Sequence, residues 1–282
     1  MKKDNIRIRD PFVLADPHSN CYYLYGTTDL GTDPNRSPES FSVYRSADLE
    51  TFEGPFPVFE GRNFWGTIDY WAAEVHFYRG KYYLFGSFKA DGKCRATQIL
   101  RADSPMGPFE AISEKPQTPE AWECLDGTLW IEDGIPYLVF CHEWLQVKNG
   151  EICAVELTED LAAAKGEPFL LFRATDNPCV SPIRNSQGEH CYITDGPFLW
   201  HEGGKLHMIW SSFTKEGTKR KYSVLEAEAE NVHGAWTHLP SRFPFDGGHA
   251  MIFTDLNGNR TMVLHGPNKP PLERLVLIPL QQ

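Results

Sequence analysis

The chain has 282 residues, 41% of them hydrophobic, and a formal net charge of −11. That is ample apolar material for a core, and a single all-β domain of this length is ordinary. Lys and Arg form no run or stripe, which argues against nucleic acid as a partner, and no run of 18 apolar residues offers a membrane-spanning helix.

The chain starts MKKDNIRIRDPF, with lysines but no apolar segment behind them, so no secretory signal is expected. The seven cysteines are odd in number and include no CxxC pair. Several lie in strand-like runs, Cys141 in YLVFCHE and Cys191 in EHCYIT among them. They read as buried free thiols of a cytoplasmic protein rather than disulfides or a zinc site.

One phrase recurs along the chain: a polar residue, a short apolar strand, a tight turn, then an aromatic-rich strand. It reads RDPFVLADPHSNCYYLYGTT from Arg9, WAAEVHFYRGKYYLFGSF from Trp71 and LDGTLWIEDGIPYLVFCHE from Leu125. It returns as TDGPFLWHEGGKLHMIWSSF from Thr194 and GGHAMIFTDLNGNRTMVLHG from Gly247. Arg79-Gly80, Asp133-Gly134, Gly203-Gly204 and Asn257-Gly258 supply the positive φ that tight hairpins need. A second hairpin follows the first four copies, in FSVYRSADLETFEGPF, QILRADSPMGPFEAI, ICAVELTEDLAAAKGEPFLLF and YSVLEAEAENVHGAWTHL. Helix signals are scarce: a turn or two within LTEDLAAAKG from Leu157, and a short stretch from Glu226 to Val232.

Two hairpins make one four-stranded propeller blade, and a unit that cannot bury both faces alone must stack on its neighbours. The expected fold is therefore all-β, a five-bladed β-propeller forming a single domain over residues 1–282. The fifth copy has only one further apolar run, Leu275 to Leu280, so the residues before Arg9 are expected to complete that blade and close the ring.

The leading polar positions of the five copies are Asp10, Glu74, Asp126, Asp195 and His249. First strands line a propeller's channel, so residues in one register face one point on the axis. Taken singly, each acid is as well explained as a turn or strand cap. Three aspartates in one register are better explained by something that needs converging carboxylates: a metal, a proton relay or a polar ligand. Glycoside hydrolysis is the chemistry best served. It uses two carboxyl groups across the scissile bond, and inverting enzymes hold them about 6.5–9.5 Å apart to admit a water. A third carboxylate can raise the acid's pKa by like-charge repulsion.

RDPF at 9–12, YWAAEV at 70–75, LDGTLW at 125–130, TDGPFL at 194–199 and DGGHAMIF at 246–253 resemble the blade signatures of glycoside hydrolase family 43. The likeness spans nearly the whole chain. It implies a five-bladed propeller acting on α-L-arabinofuranosyl or β-D-xylosyl linkages by inversion. It also implies Asp10 as general base and Asp126 as the residue that tunes and orients the acid. The family's usual acid is a Glu in EGP; here Asp195 stands in TDGP, a form that implies a subgroup. Asp is one methylene shorter, setting its carboxyl about 1.5 Å back, and misplacement on that scale can cost about a hundredfold. Glu143 in FCHEW, on the rim shared with Asp126, is the rival acid. Glu74 is a third candidate for the acid, although the family usually has a carboxylate at this place that is not the acid, and it is counted with the substrate-binding residues. The resemblance gives His249 a place as ligand of a central calcium, though one His does not make a calcium site; a His bonded to channel waters is the alternative. No cofactor is required. Trp71 and Trp144, ahead of Trp130, Phe88 and Trp210, are the expected sugar platforms, and Arg274 and His265 are placed to bond hydroxyls. The expected partner is an oligosaccharide, with oligomeric state left open. A glycoside phosphorylase and a non-catalytic carbohydrate-binding propeller remain as alternatives.

Overall fold

The computed structural model describes residues 1–28, 39–216, 219–240 and 246–280. Sixteen of its strands fall into four antiparallel sheets, each ordered as the chain runs. The first blade is β1 (Arg9–Asp16), β2 (Cys21–Thr27), β3 (Ser40–Ser46) and β4 (Phe52–Glu60). The second is β5 (Ile68–Tyr78), β6 (Lys81–Lys89), β7 (Ala96–Ala102) and β8 (Glu110–Ala111). The third is β9 (Cys124–Glu132), β10 (Ile135–His142), β11 (Glu151–Leu157) and β12 (Ala164–Arg173), with helix α1 (Trp144–Val147) between β10 and β11. A small hairpin, β13 (Ile183–Arg184) with β14 (His190–Cys191), precedes the fourth blade. That blade is β15 (Asp195–Glu202), β16 (Lys205–Glu216), β17 (Lys219–Ala229) and β18 (Thr237–Leu239). The fifth has β19 (Gly248–Thr254), β20 (Arg260–Gly266) and β21 (Arg274–Pro279). The fold is a five-bladed propeller.

Local chemistry explains the hairpins. Arg79-Gly80, Asp133-Gly134 and Gly203-Gly204 each take positive φ at both positions, between 47° and 82°, as the twist of a two-residue turn requires. At Asn257-Gly258 only the glycine does. The expected helical stretch at Glu226 is instead the end of β17: Leu225, Ala227 and Ala229 are buried there, and the buried Glu226 bonds His207 at 3.2 Å. Continuous burial from Tyr222 to Ala227, in a strand paired on both sides with β16 and β18, overrides the helix propensity of Glu and Ala. The segment after Leu157 makes turns and bends before Ala164 opens β12.

The blades pack through aromatic seams. Phe88 is fully buried among Phe41, Phe64 and Tyr70, with ring centroids 4.7–5.5 Å apart. Gly86 makes this possible, because a Cβ there would lie 2.7 Å from Phe41 and 2.9 Å from Phe88. Trp210 is likewise fully buried, against Phe172. Phe88 and Trp210 are therefore core residues, not sugar platforms.

Ring closure joins the two chain ends. Ile6 and Ile8 are buried in the same core as Leu275, and Arg7 makes a single antiparallel bridge to Arg274 where a fourth strand would run. Arg7 and Arg9 both approach the buried carboxylate of Glu273, at 3.5 and 3.2 Å. Arg274 spends its guanidinium on the carbonyls of Asp4, Pro271 and Glu273, at 2.7–3.0 Å. That is the work of a clasp; the expectation of Arg274 as a sugar-binding residue is replaced by this structural role.

Candidate active site

Every first strand carries a two-against-one bulge at the same place. The register slips between Arg9 and Phe12, Trp71 and Glu74, Leu125 and Thr128, Asp195 and Phe198, and Gly248 and Met251. The first residue of each bulge is left-handed: Asp10 at φ 51°, Ala72 at 51°, Asp126 at 56°, Gly196 at 50° and His249 at 52°. Bulges of this kind re-aim side chains and recur beside active sites, and non-Gly residues persist there only when the surroundings hold them.

This register corrects the one read from the sequence. Asp10, Asp126 and His249 do share a position, but the second and fourth blades place Ala72 and Gly196 there. Asp195 lies one residue before the bulge, level with Arg9 and Trp71. Glu74 lies just beyond it, paired across the strand with Phe85 and bonded to His76 at 3.1 Å. The small residues leave room: a Cβ on Gly196 would stand 2.7 Å from the His249 ring.

The three shared-register side chains meet. His249 Nδ1 lies 3.3 Å from Asp10 Oδ1 and 3.6 Å from Asp126 Oδ2. The Thr27 hydroxyl donates to Asp10 Oδ2 at 2.7 Å. The Asp10 amide donates to His265 Nδ1 at 3.2 Å, and His265 Nε2 and Arg9 both reach Asn268 Oδ1. Asp126 Oδ2 accepts the Gly196 amide at 3.0 Å, and the Tyr222 hydroxyl donates to Asp195 Oδ2 at 2.8 Å.

These surroundings pull the carboxyls apart in charge. Burial works against the Asp10 carboxylate, but His249, Arg9, His265 and the Thr27 hydroxyl together hold its pKa below the usual value. Burial and then the charge of Asp126 push Asp195 up to about 7, against the pull of Tyr222 and His249. Burial and the charge of Asp10 drive Asp126 well above the ordinary carboxylate range, the Gly196 amide opposing. Burial drops His265 to about 3, so it stays neutral and can accept through Nδ1. An ionised carboxylate and a protonated carboxyl thus stand in one site, the division of labour that acid–base catalysis needs.

Glu143 stands at the N-cap position of α1 without a side-chain capping bond and is buried. Arg95 NH1 bonds its Oε2, while Arg95 NH2 bonds Asp69 Oδ2 at 2.7 Å. Burial raises the Glu143 pKa and Arg95 pulls it back. The same guanidinium lies 4.2 Å from the ring centroid of Trp71, a cation–π contact that fixes the indole plane. Trp71 and Trp144 are both partly exposed, as a sugar platform requires. Sequence reasoning missed Arg95, Thr27 and Tyr222. Thr27 ends a second strand, Arg95 stands just ahead of a third and Tyr222 lies on one, and only the place of each opposite a bulge or beside a carboxyl marks it.

His249 Nε2 is buried and has no bonding partner, so it is open to a water or an ion. Among the described residues, however, no three His, Cys, Asp or Glu side chains are grouped to hold a metal. Calcium takes six to eight oxygen ligands, so the His249 ring does not by itself make a calcium site.

The glycosyl hydrolases family 43 model matches residues 5–279. Among solved structures, an endo-arabinase from Bacteroides thetaiotaomicron VPI-5482 superposes with a TM-score of 0.91 at 40% identity, covering 100% of this chain and 97% of that one. A thermostable family-43 glycoside hydrolase shares the fold with a TM-score of 0.78 at 24% identity, covering 100% and 93%. An α-L-arabinofuranosidase from Lactobacillus brevis does so at 0.71 and 14%, covering 100% and 94%. No curated protein matches.

Proposed function

Starting from a chain that belongs to glycosyl hydrolases family 43 and is a glycosidase, we propose that it hydrolyses α-L-arabinofuranosyl linkages with inversion, Asp10 serving as general base and Asp195 as general acid. The opposed charge states of these two carboxyls carry the reading. The arabinosyl preference over a β-D-xylosyl one rests on the similarity to a protein described as an endo-arabinase.

In the proposed reaction Asp10 removes a proton from water as the water oxygen attacks the anomeric carbon. The glycosidic C–O bond breaks, and Asp195 protonates the departing oxygen. The cycle ends with Asp10 protonated and Asp195 ionised, and solvent exchange resets both. Asp126, itself held toward the neutral form by burial and by the charge of Asp10, orients the acid, and burial keeps the proton on Asp195. Trp71, held flat by Arg95, and Trp144 offer faces for the sugar C–H groups. No step passes through a metal.

The choice of Asp195 over Glu143 has a physical basis. Glu143 Oε2 is engaged by a guanidinium, which stabilises the ionised form, whereas the Asp195 partner is a neutral phenol. The test is hydrolysis of arabino-oligosaccharides followed by proton NMR of the first-formed sugar. Product with inverted anomeric configuration, independent of added phosphate, is expected. Retention, a phosphate requirement, or preference for xylosides would each overturn a stated part of the reading.

A further inference from the structure

Four of the five bulges are latched to the blade before them from one register position. On the second strands, Thr27, Ser87, Cys141, Ser211 and His265 sit opposite the residue that precedes the bulge, pairing with Arg9, Trp71, Leu125, Asp195 and Gly248. Four of these five accept the amide of the next blade's bulge residue. Thr27 Oγ1 takes Ala72 N–H at 2.9 Å, and Ser87 Oγ takes Asp126 N–H at 2.9 Å. Ser211 Oγ takes His249 N–H at 2.7 Å, and His265 Nδ1 takes Asp10 N–H at 3.2 Å.

The seam between the third and fourth blades breaks the pattern. The latch residue there is Cys141, fully buried, and a thiol sulfur is a weak acceptor. The Gly196 amide, the donor that a hydroxyl would have claimed, goes to Asp126 Oδ2 at 3.0 Å. This is the one seam at which a bulge amide is bonded to a carboxylate, and that carboxylate lies between Asp10 and Asp195 in the proposed mechanism. An amide donor at this distance fixes the direction of the carboxyl oxygen that accepts it.

We infer that Cys141 is a positioning residue: by declining the Gly196 amide it leaves that donor to hold Asp126 in the orientation the acid requires. The inference rests on the proposed roles of Asp126 and Asp195. It predicts an unusual asymmetry, in which adding a good acceptor is worse than deleting the side chain's sulfur.

The test compares Cys141→Ser with Cys141→Ala in the full-length protein. Serine restores the hydroxyl found at Ser87 and Ser211 and competes for the amide. The expected result is a loss in kcat of roughly ten- to hundredfold with KM little changed, steepest on substrates with poor leaving groups. Alanine adds no acceptor and is expected to lose less than Ser does. The Gly196 amide proton gives an independent reading by NMR. Its shift should respond to Asp126→Asn in the parent protein and stop responding once Cys141→Ser is present. Equal kcat for Cys141→Ser and the parent, or a larger loss for Ala than for Ser, would overturn the inference, as would a Gly196 amide indifferent to Asp126. Failure of the underlying mechanism has a different signature: Asp10→Asn and Asp195→Asn would then stay active whatever stands at 141.

Discussion

Asp195→Asn separates the charge argument from mere proximity. The carboxyl moves from an ordinary pKa of 3.8 to about 7 in the folded protein. At about 1.36 kcal/mol per unit, a shift of roughly three units corresponds to ~4 kcal/mol. The side chain is partly exposed, so solvent screening makes that a ceiling. The sign follows from the raised value. Below about pH 4 the carboxyl is protonated in both folded and unfolded chains; as pH rises toward 7 only the unfolded chain sheds the proton freely, so the folded state loses stability. Asparagine does not titrate. Urea denaturation of both proteins at pH 4.5, 6, 7.5 and 9 should therefore show the variant gaining on the parent by up to ~4 kcal/mol as pH rises, then levelling off above 7. Activity should move the other way, falling about 10²- to 10⁴-fold on natural arabinosides and much less on an aryl glycoside whose leaving group needs no proton. Stability curves that run parallel across this range would refute the protonated Asp195.

Asp10→Asn should remove turnover on activated and natural substrates alike while leaving the far-UV circular dichroism unchanged, because of Asp10, Asp126 and Asp195 only Asp10 has its pKa lowered; measurable turnover would sink the base assignment. Glu143→Gln leaves the buried Arg95 one charge short and should cost ~3 kcal/mol of stability, read by denaturation. Its activity loss should be smaller than that of Asp195→Asn and should not be rescued by a better leaving group. Tyr222→Phe deletes the hydroxyl that lowers the Asp195 pKa. The alkaline limb of kcat/KM, expected near pH 7 in the parent, should therefore shift upward in the variant, and a downward shift would contradict the direction of that bond's effect.

The repeated phrase made the propeller legible, because a Gly-containing turn between two apolar runs can hardly be anything but a hairpin. It also pointed to Asp10, Asp126 and His249 in a common register. It misled at Glu74 and Asp195 because a β-bulge adds a residue without announcing it. Aligning the copies by their acids slid the second and fourth blades out of step, hiding that Ala72 and Gly196 occupy the shared position. Arg95 was invisible for another reason: it enters beside Asp69 and Glu143 just ahead of β7, a strand whose sequence carries no motif. Arg274 looked like a ligand-binding residue because its role depends on the carbonyls of Asp4 and Pro271, which only ring closure brings near.

That closure has a consequence for how the protein comes to work. Asp10 belongs to the first blade of the ring, while His249 and His265, which contact it, belong to the last. The environment of Asp10 is thus shared between two blades far apart in sequence and is incomplete until both have folded. A growing polypeptide could fold its middle blades and still lack the groups that keep Asp10 charged. Catalytic competence in this ring arrives in one step, when its last blade meets its first.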